Sequence, residues 1–140
     1  MKMTFLDSVE DSLIKFGVII AMHNGKYIFC KHKERNTIEI PGGHREVGES
    51  VDDTAKRELF EETGATDFDI SPVCIYCVTR DGEDTYGKLY FANVKALNDT
   101  LDSEMECIFF YDELPPLDMW TYPVLQGEMV KEWKRRINNN

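Results

Sequence analysis

Residues 43–65 read GHREVGESVDDTAKRELFEETGA, and the fold is read outward from this stretch. Its middle predicts a helix from about Ser50 to Thr63. Ser50 or Glu49 opens it, offering a side-chain oxygen to the first free backbone N–H groups. Gly64 can adopt the left-handed conformation that closes a helix. Val51, Ala55 and Leu59 recur every four residues and mark the packed side. Glu58, Glu61 and Glu62 stand at i, i+3 and i+4, within a sector of about 100°. Like charges placed so repel by about a few tenths of a kcal/mol per pair, and the C-terminal half of a helix disfavours anions. Helix stability alone does not ask for that arrangement. The three acids by themselves admit two readings. They are solvated glutamates on a good helix former, or carboxylates gathered for a hard cation such as Mg2+, which takes oxygen ligands.

The neighbours of the triad favour the cation. Gly42-Gly43 lets the backbone turn tightly and approach a ligand closely. Glu49 stands at the helix start, and Arg57 precedes the acids, where its guanidinium can fork onto a carboxylate and orient it.

Upstream, Phe16 to Met22 is an apolar run rich in Ile and Val, predicting a buried strand. His23-Asn24-Gly25-Lys26 carries the Asn-Gly hairpin signal, and Tyr27 to Lys31 returns as the partner strand. Thr37 to Ile40 reads as a short strand stopped by Pro41. Downstream, strands are predicted over about Phe68–Thr79, Gly87–Ala96 and Cys107–Tyr111, with a hairpin tip at Asp81-Gly82. Pro123 can occupy the first turn of a last helix, whose stripe is Leu125, Met129, Val130, Trp133 and Ile137. The order β-β-β-α-β-β-β-α predicts a mixed sheet covered by helices, an α/β fold.

The 140 residues suit one domain, 1–140, with a core that needs no disulfide or metal staple. A net charge of −10 argues against a phosphate-backbone binder, so nucleic acid is not the expected partner. Cys74 and Cys77 sit in a β-rich run and lack a second pair at zinc spacing, which predicts reduced thiols in a core, as for Cys30 and Cys107. The N-terminus lacks the apolar run of a signal peptide, and no stretch approaches transmembrane length, so a cytoplasmic protein is expected.

Gly43-x5-Glu49-x7-Arg57-Glu58-Leu59-x-Glu61-Glu62-x-Gly64 resembles the signature of the Nudix hydrolases at every fixed letter. The one departure is Ala65, where the pattern prefers a bulky aliphatic residue at a packing position. The lead-in Ile40-Pro41-Gly42-Gly43 and the β-rich frame are also similar to that family. The resemblance implies an α/β/α sandwich around a mixed β-sheet. It implies hydrolysis of a diphosphate bond in a nucleoside diphosphate derivative, with Mg2+ as cofactor and Mn2+ able to replace it.

Carried over residue by residue, the resemblance makes Glu58, Glu61 and Glu62 metal ligands, with the backbone carbonyl of Gly42 or Gly43 as a further one. Arg57 would orient a glutamate, Glu49 would brace the loop, and Gly64 would end the helix. The general base is left between a box glutamate and an acid outside it, Glu104 or Glu106. The compact size resembles the MutT-like branch, which converts nucleoside triphosphates, oxidised purine forms included, to monophosphate and pyrophosphate. ADP-ribose, nucleotide sugars and dinucleoside polyphosphates remain open. So do a non-catalytic nucleotide-binding module and an enzyme acting on RNA 5′ ends, for which Lys31, His32, Lys33 and Arg35 form the basic cluster near the box. A small-molecule nucleotide is the expected partner, taken by a monomer or homodimer.

A nucleobase needs an apolar or aromatic slot. Tyr76, Tyr86, Tyr90, Phe91, Trp120 and Tyr122 are the ring candidates, each weighed against a place in the core. Trp120 and Tyr122 are preferred because they precede the last helix in a connection. His44 lies inside the glycine-rich loop and is a candidate phosphate contact, against the plainer reading of an exposed loop histidine.

Overall fold

The computed structural model describes residues 1–98 and 105–138. Its strands are β1 (Lys2–Leu6), β2 (Ile14–His23), β3 (Lys26–His32), β4 (Gly42–His44), β5 (Ala65–Arg80), β6 (Glu83–Leu97) and β7 (Met105–Tyr111), and its helices are α1 (Val51–Thr63) and α2 (Pro123–Asn138). They form one mixed sheet in the order β1-β5-β6-β2-β3-β7, with β4 paired to β2. Among the seven described strands only the β2–β6 pairing is parallel; the other strand pairings are antiparallel.

The two hairpin signals form as read. Asn24 and Gly25 have φ 52° and 77°, and Asp81 and Gly82 have φ 51° and 77°, the paired left-handed residues of a tight hairpin turn. Alternation along β2 sends its side chains to two cores. Val18 and Ile20 pack with Phe29, Trp120, Met129, Val130 and Trp133 on the α2 side. Ile19 and Ala21 pack with Ile28, Ala55 and Leu59 on the α1 side. The sheet is thus covered on both faces, as the α/β/α expectation requires. Cys30, Cys74 and Cys77 are buried free thiols. Burial pushes the Cys74 thiol up to about 11, which keeps it protonated and inert.

The structure differs from the sequence reading of the secondary structure at β1, at residues 37–40 and at the end of α2, and Cys107, expected in a core, is only half-buried. β1 has no counterpart in that reading; it is five residues long and forms by pairing with the far end of β5, Met3 opposite Val78. Residues 37–40 make only single bridges, Cys30 to Glu39 and Ile38 to Trp120, while the strand in this region is Gly42–His44. Ile137, at the end of the α2 stripe, is 49% exposed, whereas Met129, Val130 and Trp133 are buried.

The second difference builds the site. β2 and β3 leave their turn as a pair only at Met22–Tyr27 and His23–Lys26, then diverge. Residues 39–44 fill the wedge between them. Glu39 exchanges both backbone bonds with Cys30 on β3, at 2.8 and 3.0 Å, and Pro41 accepts from the Ile19 N–H on β2 at 2.9 Å. Gly42 can enter because it has no side chain: a Cβ there would stand 2.7 Å from the Gly17 carbonyl oxygen.

Candidate active site

α1 is capped at both ends by its own sequence. The Ser50 hydroxyl accepts from the Asp53 N–H at 3.1 Å, and Gly64, at φ 80°, returns its N–H to the Phe60 carbonyl at 2.8 Å. Val51, Ala55 and Leu59 face the sheet and are buried. This seating turns Glu58 and Glu62 toward β4, while Glu61, at 38% side-chain exposure, lies nearer solvent.

Arg57 organises the acids. Its Nε donates to Glu49 Oε2 at 2.7 Å and its Nη2 to Glu49 Oε1 at 3.1 Å. Nη1 donates to Glu58 Oε1 at 2.8 Å and to Glu61 Oε2 at 3.2 Å. Nη2 also reaches the His44 carbonyl at 3.0 Å, tying the glycine-rich loop to the helix. The Thr54 hydroxyl donates to Glu49 Oε1 at 2.6 Å. Hydrogen bonds from Arg57 and then Thr54 hold the Glu49 carboxyl down at about 2. The Glu49 carboxylate, and then that of Glu58, raise the Arg57 guanidinium further above its already high value.

The two glycines lie against two of the acids. The Gly42 N–H donates to Glu62 Oε1 at 2.7 Å. A Cβ on Gly43 would stand 2.4 Å from the Glu58 carboxyl carbon. Burial, followed by the charges of Glu58, Glu39 and Glu61, pushes the Glu62 carboxyl up to about 8. Burial likewise raises Glu58, against the opposing pull of Arg57. Glu58, Glu61 and Glu62 therefore come together on one face of α1 beside Gly42 and Gly43, with Arg57 and Glu49 behind them.

This donor set fits a hard divalent cation. It is all oxygen, and one guanidinium serves Glu49, Glu58 and Glu61 while Glu62 is buried among further acids. A cation would relieve that repulsion. Among the described residues no three carboxylate, imidazole or thiol groups are arranged so that they could already hold a metal ion; Glu58 and Glu61 turn to Arg57, and Glu62 turns to Gly42.

The remaining candidates separate. Trp120 is corrected to a core residue: it is 4% exposed, its indole N–H donates to the Pro115 carbonyl at 3.0 Å, and its ring meets Phe29 edge-on. Ring stacking on a base needs a free face, which it lacks. Tyr76 and Tyr90 are also buried, and Phe91 is stacked on Trp133. Tyr122 is 39% exposed, with the Arg35 guanidinium 5.8 Å from its ring centre. His44 is exposed and rests on Phe16. Glu104 and the side chain of Glu106 lie outside the described residues.

Two polar residues at the site were not placed with the acids by sequence, His32 having been read only as part of the basic cluster. Glu39, only 7% exposed, accepts from Arg35 Nη1 at 2.8 Å. His32 lies beside both Glu39 and Glu62. The available signal was Ile38-Glu39-Ile40, an acid alternating with two apolar residues that are themselves buried. The pairing of Arg35 and His32 with acids also uses up part of the basic cluster at 31–35. No helix is long and apolar enough to cross a membrane among the described residues.

Comparison with known proteins agrees with this geometry. The family model described as NUDIX domain matches residues 13–126. The chain is 28% identical over 116 residues, 82% of its length and 73% of the relative's, to YtkD of Bacillus subtilis (strain 168), which is named as a candidate 8-oxo-dGTP diphosphatase. Among solved structures it resembles a mutant of the Bacillus subtilis pyrophosphohydrolase BsRppH, with a TM-score of 0.80 and 24% identity over 96% of this chain and 90% of that one. It also resembles a C. elegans Ap4A hydrolase, with a TM-score of 0.66 and 15% identity over 91% and 99% of the two chains. With the box residues gathered on one face of α1 and the family model spanning most of its length, the chain belongs to the Nudix hydrolase family, enzymes acting on nucleoside diphosphate derivatives.

Proposed function

We propose that the chain is a divalent-cation-dependent pyrophosphohydrolase. It would cleave a nucleoside triphosphate, oxidised purine nucleotides included, to the monophosphate and pyrophosphate. The observation that carries this reading is the acid set on one face of α1: Glu58 and Glu61 held by Arg57, Glu62 held by the Gly42 N–H, and Glu58 packed against Gly43. The likeness to YtkD supports the nucleotide class.

Glu58, Glu61, Glu62 and the backbone carbonyl of Gly42 would hold Mg2+ or Mn2+. The cation supplies charge neutralisation at the bridging and leaving phosphate oxygens. Arg57 limits the orientations open to Glu58 and Glu61, which would turn from it toward the cation when it binds. Glu49, kept ionised by Arg57 and Thr54, anchors that guanidinium. Glu58 Oε1 is committed to Arg57. Its Oε2, which Arg57 leaves free, is one box candidate to accept the proton of an attacking water. Glu104 and Glu106 are the other candidates for that step. Tyr122, exposed beside Arg35, is the preferred ring for the base.

The test is product analysis with a panel of canonical and oxidised dNTPs, ADP-ribose, a nucleotide sugar, a dinucleoside polyphosphate and 5′-triphosphate RNA, each with Mg2+ and with Mn2+. Pyrophosphate release from a dNTP supports the reading. Turnover confined to another class replaces the substrate, and silence throughout, with nucleotide still bound, replaces the enzyme with a binding module.

A further inference from the structure

His32 ends β3 and lies outside the family signature, yet its ring reaches the acid cluster. Its Nε2 is 3.3 Å from Glu62 Oε2 and 3.6 Å from Glu39 Oε2. The two carboxylates arrive from different elements, Glu62 from α1 and Glu39 from the segment bridged to Cys30. Both residues are buried, at 6% and 7% exposure. Each has its other oxygen taken: Glu62 Oε1 by the Gly42 N–H at 2.7 Å, and Glu39 Oε1 by Arg35 Nη1 at 2.8 Å. Arg35 thus sets the Glu39 oxygen that faces His32, and Gly42 and His32 together bracket Glu62.

We propose that His32 is a positioning residue which, braced by Glu39, holds Glu62 in the orientation that receives the divalent cation. The inference rests on the cation-dependent reading above. A carboxylate oxygen has two lone pairs, so contacts from Gly42 and His32 leave Glu62 capacity for a cation. A ligand held from two sides loses little freedom on binding, and partners one step behind a metal ligand commonly matter about 10- to 100-fold in affinity. A histidine that served packing alone would not need its ring nitrogen between two buried acids.

Mn2+ binding to the substrate-free protein, read by electron paramagnetic resonance of free Mn2+, tests this alongside thermal unfolding in chelator. His32→Ala is expected to weaken Mn2+ binding about 10- to 100-fold. It should raise the Mn2+ needed for half-maximal turnover, with nucleotide KM at saturating Mn2+ little changed. His32→Gln, which keeps an N–H donor, recovers part of the loss. Glu39→Gln weakens binding in the same direction, and the double variant falls short of the summed effects because both act on one contact. A folded His32→Ala protein with wild-type Mn2+ affinity overturns the proposal. Should the alanine variant fail to fold, equal affinity in His32→Gln and His32→Leu overturns it as well. Wild-type protein that binds no Mn2+ and hydrolyses no nucleotide overturns the functional reading beneath it. Wild-type binding and turnover with an indifferent His32 overturns this inference alone.

Discussion

The Arg57 guanidinium grips Glu49 with two bonds, Nε to Oε2 at 2.7 Å and Nη2 to Oε1 at 3.1 Å, across eight residues of chain. Its remaining nitrogen serves Glu58 and Glu61. A lysine has one point charge and cannot reproduce a planar fork with contacts on several sides. Arg57→Lys should therefore lower turnover about 10- to 100-fold, as expected when a ligand's orienting partner is lost. It should also cost about 2 kcal/mol of stability, the scale of hydrogen bonds to charged groups. Kinetics and denaturant unfolding check both, and wild-type turnover in this variant would remove Arg57 from its orienting role.

Gly42 and Gly43 should respond differently to alanine. At Gly42 the new Cβ meets backbone, the Gly17 carbonyl oxygen at 2.7 Å and Val18 Cα at 3.0 Å, so β4 must shift and the melting temperature should fall. At Gly43 it meets the Glu58 carboxyl carbon at 2.4 Å, the far end of a side chain that can swing away. Gly43→Ala should then keep most of its stability while losing activity. Equal melting and activity profiles for the two variants would contradict this division.

Glu61 is the most exposed of the three acids and makes one long bond, to Arg57 at 3.2 Å. Glu61→Gln should leave the fold intact and reduce turnover about 100-fold or more, since a lost cation ligand forfeits several kcal/mol of charge stabilisation. Chelator should likewise abolish turnover without changing the circular dichroism spectrum. Unfolding on chelation would instead indicate a structural metal.

Glu62 gives a pH dependence with a definite sign. Its folded-state value is about 8 against an ordinary value of 4.5. Between those limits the unfolded chain has lost the proton that the folded protein keeps. The folded state binds more protons, and the Glu62 contribution to stability declines as pH rises through that window. In chelator, wild type should lose melting temperature relative to Glu62→Gln from about pH 5 to pH 8. A divalent cation requires the ionised form, so its stabilising effect on wild type should grow over the same range. A constant difference between the two proteins across that range would show that Glu62 does not titrate there.

The sequence is most legible where structure is local. Ser50 and Gly64 cap α1 through groups within four residues of them, and the Asn24-Gly25 and Asp81-Gly82 turns need only their own backbone preferences. The face shared by Glu58, Glu61 and Glu62 follows from helical periodicity. Trp120 reads wrongly from sequence because a place in a connection suggests exposure. Its neighbour across the fold, Ile38, is 82 residues away and brings it into the core.

What the sequence determined by itself was the box helix, its ends, the acids on one side of it and the family they signal. Tertiary structure decided what those acids touch. Glu39 and His32 reach Glu62 only because β2 and β3 diverge and residues 39–44 fill the wedge, and Gly43 packs on Glu58 only because β4 pairs there. Helix caps and hairpin turns are encoded over a few residues. The partners of a buried carboxylate depend on which distant segments the sheet brings together, and no short-range pattern in the chain specifies that pairing.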